Sequence, residues 1–169
     1  MIVRGIASKQ NRDLQNTVIV ADAFDEAIAR RGAAGIALLL CHDAKRPAGR
    51  ILSLQTIDKA LHITARLDAA GINAHRDMTK DGATLGFSIA ARDVTGMQVG
   101  DLTFVTKADL YEVSLTPHPV NPECLLTFAD RNAHLWPEDW REMFAEQDAA
   151  IAAAPRRIVI PTIRYEEVP

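Results

Sequence analysis

The chain has 169 residues, of which 48% are hydrophobic, so it can form one good core but not two ordinary domains. Its net charge of -3 and scattered basic residues predict no direct nucleic-acid ligand. The longest apolar run, 36–41, is far below the roughly 20 residues that cross a bilayer, so we expect no membrane span. Two cysteines without metal or redox spacing, and no leader after Met1, predict a cytoplasmic protein with reduced thiols.

The first third of the chain predicts three strands and a helix. Apolar residues alternate, cluster or fall at helical spacing in four segments, namely 2–8, 17–20, 24–31 and 36–41. Asp22 or Asp25 is placed to cap the helix, and Gly32 lies just past its end. The nearly continuous apolar run at 36–41 is typical of a strand buried on both faces, so His42 comes where a core strand ends.

The middle of the chain predicts a hairpin and a second helix. Pro47 and Gly49 indicate a turn, and Asp58 with Lys59 indicates another. The expected elements are a turn over 45–49, strands over 50–57 and 61–67, and a short helix within 69–82. Alternation gives the hairpin one dry and one wet face, and His62 lies on the wet face, where a solvated role is expected.

Residues 84–92 predict a strand with one apolar face and one face of small residues. Because side chains alternate along a strand, Leu85 and Phe87 face the core, whereas Ser88 and its small neighbours face the other way. A serine hydroxyl without bulky neighbours is open to a carbonyl carbon, although most strand serines are only solvated. The stretch alone leaves both interpretations open.

The remaining strands complete the predicted fold. Residues 93–100 are turn-rich, a strand over 102–106 is interrupted at Lys107, and another covers 109–116. Glu112 is an acid on this largely apolar strand, and three prolines between 117 and 122 end the regular structure. Since strands outnumber helices, we predict a mainly β fold with helices (α+β), in which a closed or nearly closed β-barrel carries flanking helices.

The composition changes after residue 128. A helix is expected over 136–144, with Pro137 in its first turn, and a short alanine-rich segment and a mixed tail follow it. We therefore predict a barrel domain over 1–128 and a C-terminal extension over 129–169, made of a helix and a tail.

Three separated residues suit one kind of chemistry. The hydroxyl of Ser88 is a poor nucleophile at neutral pH unless a base removes its proton, and the imidazole of His42 suits that task. A carboxylate on the second ring nitrogen fixes the tautomer and stabilises the imidazolium, as Glu112 could do. Asp43 would point away from His42 in an extended chain, so we expect it to be a cap or turn acid.

Four pieces of the chain have an informative order and spacing. They are Leu39-Leu40-Cys41-His42-Asp43, Pro47-Ala48-Gly49-Arg50, Leu85-Gly86-Phe87-Ser88-Ile89, and Asp109-Leu110-Tyr111-Glu112-Val113-Ser114-Leu115 with Pro119, Asn121 and Pro122 after it. Together they resemble the HK97-type prohead proteases of tailed phages, from about residue 3 to about residue 128. The resemblance implies a herpesvirus-protease-like fold and a serine endopeptidase that cleaves capsid and scaffold proteins, and itself, during prohead maturation.

The resemblance also implies roles and partners. It matches Ser88 to the nucleophile and His42 to the base, with Glu112 as the third catalytic group and His118 as the weaker alternative, since herpesvirus relatives use a second histidine. The implied partners are the major capsid protein, a scaffold protein or domain, and further copies of the chain, inside the assembling prohead in the bacterial cytoplasm. No cofactor is expected. Many members carry a Gly-Asp pair in the first loop, which is missing from 11–17.

Two other functions stay open. A metal-dependent hydrolase could use a set of His and Asp ligands, namely His42, Asp43, His75 and Asp77, although no close His or Cys spacing supports it. A catalytically inactive capsid-assembly or scaffold component could retain the protease fold, but the presence of all three catalytic candidates argues against it. Arg92 and main-chain N–H groups near Ser88 are candidate oxyanion donors.

Overall fold

The computed structural model describes residues 1–130, and the predicted helix over 136–144 lies outside them. In chain order the elements are β1 (Ile2–Lys9), β2 (Thr17–Ile19), α1 (Asp25–Arg31), β3 (Ala37–Leu40), β4 (Asp43–Ile57), β5 (Ala60–Leu67), α2 (Ala69–Thr79), β6 (Gly86–Val99), β7 (Leu102–Thr116) and β8 (Leu126–Asp130). Within the described residues, no helix is long and apolar enough to cross a membrane.

The strands form one sheet in the order β2-β7-β3-β4-β5-β1-β8, with β6 paired to β7. Strands β2 and β3 both run parallel to β7, and the other neighbours are antiparallel. Strand β7 is therefore bordered by β3 on one side and β6 on the other over its second half. The prediction of a mainly β fold with helices is confirmed.

The two ends of the sheet approach each other over a few residues. The Phe87 N–H donates to the Cys124 carbonyl at 2.8 Å, and the Leu126 N–H donates to the Leu85 carbonyl at 2.9 Å. One isolated bridge extends this contact, but no continuous ladder joins β6 to β8 in the part of the chain that the structure describes. The sheet is not closed, so the predicted closed or nearly closed barrel is not confirmed.

Apolar side chains from the strands and from α1 form one buried cluster. Phe24, just before α1, and Phe87, on β6, are its largest fully buried side chains. Burying a side chain of this size contributes about 1.5–3 kcal/mol. Because Phe87 is fully buried, it fixes the part of β6 that carries the next residue, Ser88.

Strand β4 continues through the segment 45–49, so the predicted turn there is wrong. Pro47 pairs with Leu39 between two register shifts, where the missing N–H of a proline is tolerated. Gly49 has a φ of 139°, and a Cβ at this position would lie 2.1 Å from the Arg66 carbonyl oxygen on β5. The glycine therefore permits a close approach of two strands instead of a turn.

Strand β3 also differs from its prediction. Its burial alternates, with Leu38 and Leu40 buried and Ala37 exposed, so it is not buried on both faces. The strand is nonetheless internal to the sheet, because it lies between β4 and β7. A short apolar run therefore predicts that a strand lies inside the protein, but it does not show whether both faces are covered. Strand β3 is internal because strands pair with it on both sides, as much as because one of its faces is buried.

Strands β6 and β7 form one long hairpin, so the predicted turn region over 93–100 is strand up to Val99 and turn only at its last residue, and the predicted break at Lys107 is wrong. The chain reverses at Gly100, which has a φ of 62°. Two register shifts lie between Arg92 and Gly96, the first with an extra residue on β6 and the second with an extra residue on β7. Such bulges let a strand continue through polar residues that resemble a turn in sequence.

Helix α1 is confirmed, but its predicted cap, Asp22 or Asp25, is wrong. The N-cap residue is Phe24, which makes no capping hydrogen bond, while the Asp25 carboxylate accepts from Thr56 Oγ1 at 2.9 Å. Gly32 follows the helix with a φ of 65°, as predicted. Burial of Phe24 thus fixes the start of this helix where a polar cap was expected.

The other local predictions agree with the structure. Asp58 and Lys59 have φ values of 45° and 65° and join β4 to β5, as in a tight hairpin turn. Helix α2 lies within the predicted segment 69–82. Strand β8 crosses residue 128 and ends at Asp130, so the division into domains at 128 stays a prediction.

Candidate active site

Ser88 lies on β6 beside the core. Its side chain is buried, and in the antiparallel pairing with β7 it stands directly opposite Ser114. Its neighbours on the same face, Gly86 and Ala90, stand opposite Thr116 and Glu112. Residues opposite each other on antiparallel strands share a face of the sheet, so the small-residue face predicted for Ser88 is also the face of Ser114 and Glu112.

His42 lies in the tight turn that joins β3 to β4. Cys41 and His42 have φ values of 51° and 61°, so both are in the left-handed region and neither is extended. The Cys41 N–H donates to the Leu115 carbonyl at 3.1 Å, which ties the turn to β7. Asp43 accepts from the Lys45 N–H at 2.9 Å, which confirms that it is a turn acid.

The His42 ring is held by Glu112. The distance from His42 Nδ1 to Glu112 Oε1 is 2.5 Å, with the histidine side chain 41% exposed and the glutamate 3% exposed. The second oxygen, Glu112 Oε2, accepts from the Ser114 hydroxyl at 2.9 Å. A carboxylate that accepts through both oxygens places a ring proton on Nδ1, and the neutral imidazole with its proton there has a free lone pair on Nε2. This is the tautomer that a general base needs.

Ser114 joins these groups to the predicted nucleophile. Its hydroxyl also accepts from the His42 main-chain N–H at 2.8 Å, and its strand partner is Ser88. Opposite residues of an antiparallel pair have Cβ atoms about 4.5–5.5 Å apart. The structure therefore brings Ser88, His42 and Glu112 together around one buried hydroxyl. No hydrogen bond joins His42 to Ser88 within residues 1–130, and such bonds often form fully only with substrate.

A cavity of about 310 Å³ opens beside Ser88. It is lined by Ser88 and its neighbours on β6, by the end of β1 and by residues of the loop 9–17. Asn11, in that loop, bonds Asn121 at 2.7 Å and Glu123 at 2.6 Å, which fixes the loop against the chain before β8. The segment that lacks the Gly-Asp pair is therefore a wall of this cavity, although the sequence resemblance assigned no individual residue of it to the site.

A second charged cluster lies further along the same hairpin. The Arg31 guanidinium, helped by Arg92 and Arg30, lowers the pKa of Asp109 to about 2. The distances to the Asp109 carboxylate are 2.5 Å from Arg31 Nη2, 2.5 Å from Arg30 Nη2 and 3.0 Å from Arg92 Nε. Arg92 also stacks near Tyr111, 5.8 Å from its ring centre. This network ties α1 to β6 and β7, and it gives an oxyanion role of Arg92 no support.

Other candidates from the sequence are not drawn into the site. His118 is exposed, and its main-chain N–H donates to Thr116 Oγ1 at 3.2 Å. His62 is half-buried on β5, where burial lowers its pKa. Among residues 1–130, no group of three His, Cys, Asp or Glu side chains is placed to hold a metal ion, so the proposed ligand set with His75 and Asp77 does not assemble there.

The chain is similar to known proteases. Its residues 2–135 match the family described as caudovirus prohead serine protease. A prohead protease of Escherichia phage T5 is 28% identical over 161 residues, which cover 92% of this chain and 76% of that protein. The crystal structure of KSHV protease in complex with a hexapeptide phosphonate inhibitor superposes with a TM-score of 0.50 at 9% identity, covering 88% of this chain and 76% of that one.

These comparisons confirm the resemblance inferred from the four sequence pieces, and the structural likeness confirms the herpesvirus-protease-like fold. The match over 2–135 includes His42, Ser88 and Glu112, which lie in the turn after β3, on β6 and on β7 respectively. Since this match spans more than half of the 169 residues, the chain belongs to the caudovirus prohead serine protease family.

Proposed function

We propose that this protease is a serine endopeptidase that cleaves capsid and scaffold proteins, and itself, during prohead maturation. Ser88 is the nucleophile, His42 the general base and Glu112 the acid that orients it. The observation that carries the proposal is the hydrogen-bonded pair of His42 and Glu112, held over β7 at the residue opposite Ser88. Family membership and the phage T5 relative support a protease of this kind.

The proposed reaction follows from the hydrogen bonds. As Ser88 Oγ attacks the scissile carbonyl carbon, its proton passes to His42 Nε2, and Glu112 stabilises the imidazolium through Nδ1–H. The imidazolium then gives this proton to the leaving amine as the C–N bond breaks. Water, deprotonated by the same nitrogen, attacks the acyl carbon of the Ser88 ester; the bond from that carbon to Ser88 Oγ breaks, the imidazolium returns its proton to Oγ, and the carboxylic acid product leaves the free enzyme. The buried Glu112 carboxylate keeps a proton on His42 Nδ1 throughout the reaction, because both of its oxygens already accept hydrogen bonds.

The proposed place of action is the assembling prohead in the host cytoplasm. The substrates we propose are the major capsid protein and a scaffold protein or domain, and further copies of the chain are a potential partner. The cavity beside Ser88 is a candidate position for the substrate chain, because Ser88, which we propose attacks the peptide bond, is one of its lining residues.

The proposal is tested by co-expressing the protein with its capsid and scaffold proteins and weighing all chains by mass spectrometry. We expect defined cleavage products that Ser88→Ala and His42→Ala each reduce by about 10⁴-fold or more, because members of such a unit do not act independently. Ser53→Ala and His62→Ala are matched controls on β4 and β5 and should cleave normally. Equal cleavage by the Ser88→Ala variant and the unmodified protein would contradict the assignment. If neither the unmodified protein nor any variant cleaves these proteins, the result would favour an assembly component without catalytic activity.

A further inference from the structure

The hydroxyl of Ser114 occupies the centre of the candidate site. Ser114 is 0% exposed and lies on β7, two residues after Glu112 and directly opposite Ser88. A fully buried hydroxyl has no access to water, so its hydrogen bonds must come from the protein. Both of its contacts are to groups of the proposed catalytic unit, one on His42 and one on Glu112.

The directions of these two hydrogen bonds follow from the atoms involved. The main-chain N–H of His42 can only donate, so Ser114 Oγ accepts this bond over 2.8 Å. The single hydroxyl proton is then directed to Glu112 Oε2 at 2.9 Å, and a carboxylate oxygen accepts it. One hydroxyl therefore holds both the main chain of the base and the carboxylate that orients its ring.

The turn that carries His42 has a particular need for such a contact. Cys41 and His42 both have positive φ values, and the left-handed region costs a residue with a side chain roughly 1–2 kcal/mol. A backbone in this region persists when its surroundings determine it. The bond to Ser114 is the side-chain contact that fixes the His42 main chain, next to the bond from the Cys41 N–H to Leu115.

We propose that Ser114 is a positioning residue of this protease, which sets the location of the His42 base and the orientation of Glu112 together; this rests on the proposed function. Ser114 does not touch the reacting atoms. It acts through two bonds: the bond from the His42 N–H ties the turn after β3 to strand β7, and the bond to Glu112, within β7, fixes the carboxylate. Removing the Ser114 hydroxyl leaves Glu112 Oε2 buried without its hydrogen-bond donor. It also removes the side-chain bond that holds the His42 main chain in the turn after β3.

The test compares Ser114→Ala and Ser114→Cys with Thr116→Val. Thr116 is the matched control, because it is buried on the same strand and its hydroxyl bonds the His118 N–H instead of His42 or Glu112. The probe is a fluorophosphonate, which modifies an activated serine, and peptide mapping locates the adduct. We expect Ser114→Ala to lower kinact at Ser88 about 10- to 100-fold with KI unchanged, as loss of an outer hydrogen-bond partner does at other sites. Thr116→Val should keep the rate of the unmodified protein.

A second readout follows the geometry of the base. In the proton NMR spectrum of the unmodified protein, the Nδ1–H of His42 should give a far-downfield resonance that His42→Ala removes. Ser114→Ala should shift or broaden this resonance, whereas a serine that only fills space leaves it unchanged. Melting temperatures show which variants are folded, and if the alanine variant does not fold, the cysteine variant, whose S–H is a weak donor, is judged by the same two criteria.

The outcomes separate the inference from the proposed function. If the probe does not modify Ser88 in the unmodified protein, the proposed function fails and this inference fails with it. If Ser88 is modified and a folded Ser114 variant reacts at the same rate with the same His42 resonance, the inference alone is overturned. A loss of rate shared equally by Thr116→Val would also overturn it, because the effect would then belong to β7 in general.

Discussion

Replacing Glu112 by glutamine is the sharpest test of the proposed acid, because the structure decides which way the amide must point. Glu112 Oε1 accepts from His42 Nδ1–H and Oε2 accepts from the Ser114 hydroxyl. An amide has the same shape but offers one acceptor and one donor. It therefore satisfies the two neighbours in only one of two orientations.

In the first orientation the amide oxygen faces His42 and the NH₂ group faces Ser114. Ser114 Oγ already accepts from the His42 N–H, so its own proton is left without an acceptor in a 0% exposed position. A buried donor without a partner costs about 1–3 kcal/mol. In this orientation the base keeps its tautomer and loses only the negative charge beside it.

In the second orientation the amide oxygen accepts from Ser114, and the NH₂ group donates to His42 Nδ1. Every buried group is then satisfied, so the second orientation is favoured by about 1–3 kcal/mol. The ring proton must move to Nε2, which removes the base. A carboxylate-to-amide change that imposes this tautomer lowers kcat by about 10⁴-fold in a Ser-His-Asp unit. We expect a loss near that value for Glu112→Gln.

The assay measures the rate of Ser88 modification by the fluorophosphonate, together with capsid cleavage, for folded variants matched in melting temperature. His118→Ala is the control, because His118 is the competing third group and is exposed in the structure. Glu112→Gln should be slower by about 10⁴-fold and His118→Ala unchanged. A Glu112→Gln variant that keeps more than about a tenth of the rate would refute the reasoning from tautomers. Loss of activity in His118→Ala alone would assign the third role to the histidine.

Three further predictions concern reactivity and stability. Burial raises the pKa of Cys124 to about 12, whereas Cys41 is exposed. Iodoacetamide should therefore modify the native protein at Cys41 only, and modification of both cysteines before unfolding would contradict this prediction. The pKa of Asp109 is lowered to about 2 from 3.8, so its arginine network stabilises the fold above about pH 4 and loses this effect as the pH falls towards 2. Asp109→Asn should therefore lower the Tm at neutral pH more than Asp101→Asn does, because Asp101 is exposed. The Tm values of the two variants should converge at low pH. A Cβ at Gly86 would lie 2.4 Å from the Cys124 carbonyl oxygen, so Gly86→Ala should cost about 1–3 kcal/mol in urea unfolding, and an unchanged midpoint would count against this contact.

Local periodicity predicted the face on which Ser88 lies and the tight turn at Asp58 and Lys59. Both depend on a few consecutive residues, since alternation along a strand and the preference of tight turns are local properties. Side-chain chemistry singled out the three catalytic candidates, and the joint resemblance of four separated pieces to one family then matched them to catalytic roles. Composition and spacing alone had left Ser88 open between a nucleophile and a solvated strand residue.

The wrong predictions of a turn over 45–49 and of a break at Lys107 share a physical origin in bulges and close strand contacts. Pro47 and Gly49 look like a turn, but they lie within β4 at register shifts and against the Arg66 carbonyl. Lys107 looks like a break, yet it pairs with Thr95 between two register shifts in the pairing of β6 with β7. Each of these residues is placed by a partner strand that is distant in sequence. A pattern read along one strand cannot contain that information.

The central position of Ser114 was out of reach for the same reason, and it shows what holds the site together. Ser114 lies beside the turn of His42 because β3 runs parallel to β7, with Leu39 opposite Ser114. Ser114 lies opposite Ser88 because β6 runs antiparallel to β7 and pairs these two serines. A slip of one residue in either register would turn the corresponding side chains to the other face of the sheet. The registers are fixed by apolar burial, with Phe87 and Leu115 both 0% exposed and paired across β6 and β7. The core therefore aligns the proposed nucleophile with the proposed base, and the buried Ser114 hydroxyl bonds both the His42 main chain and the Glu112 carboxylate.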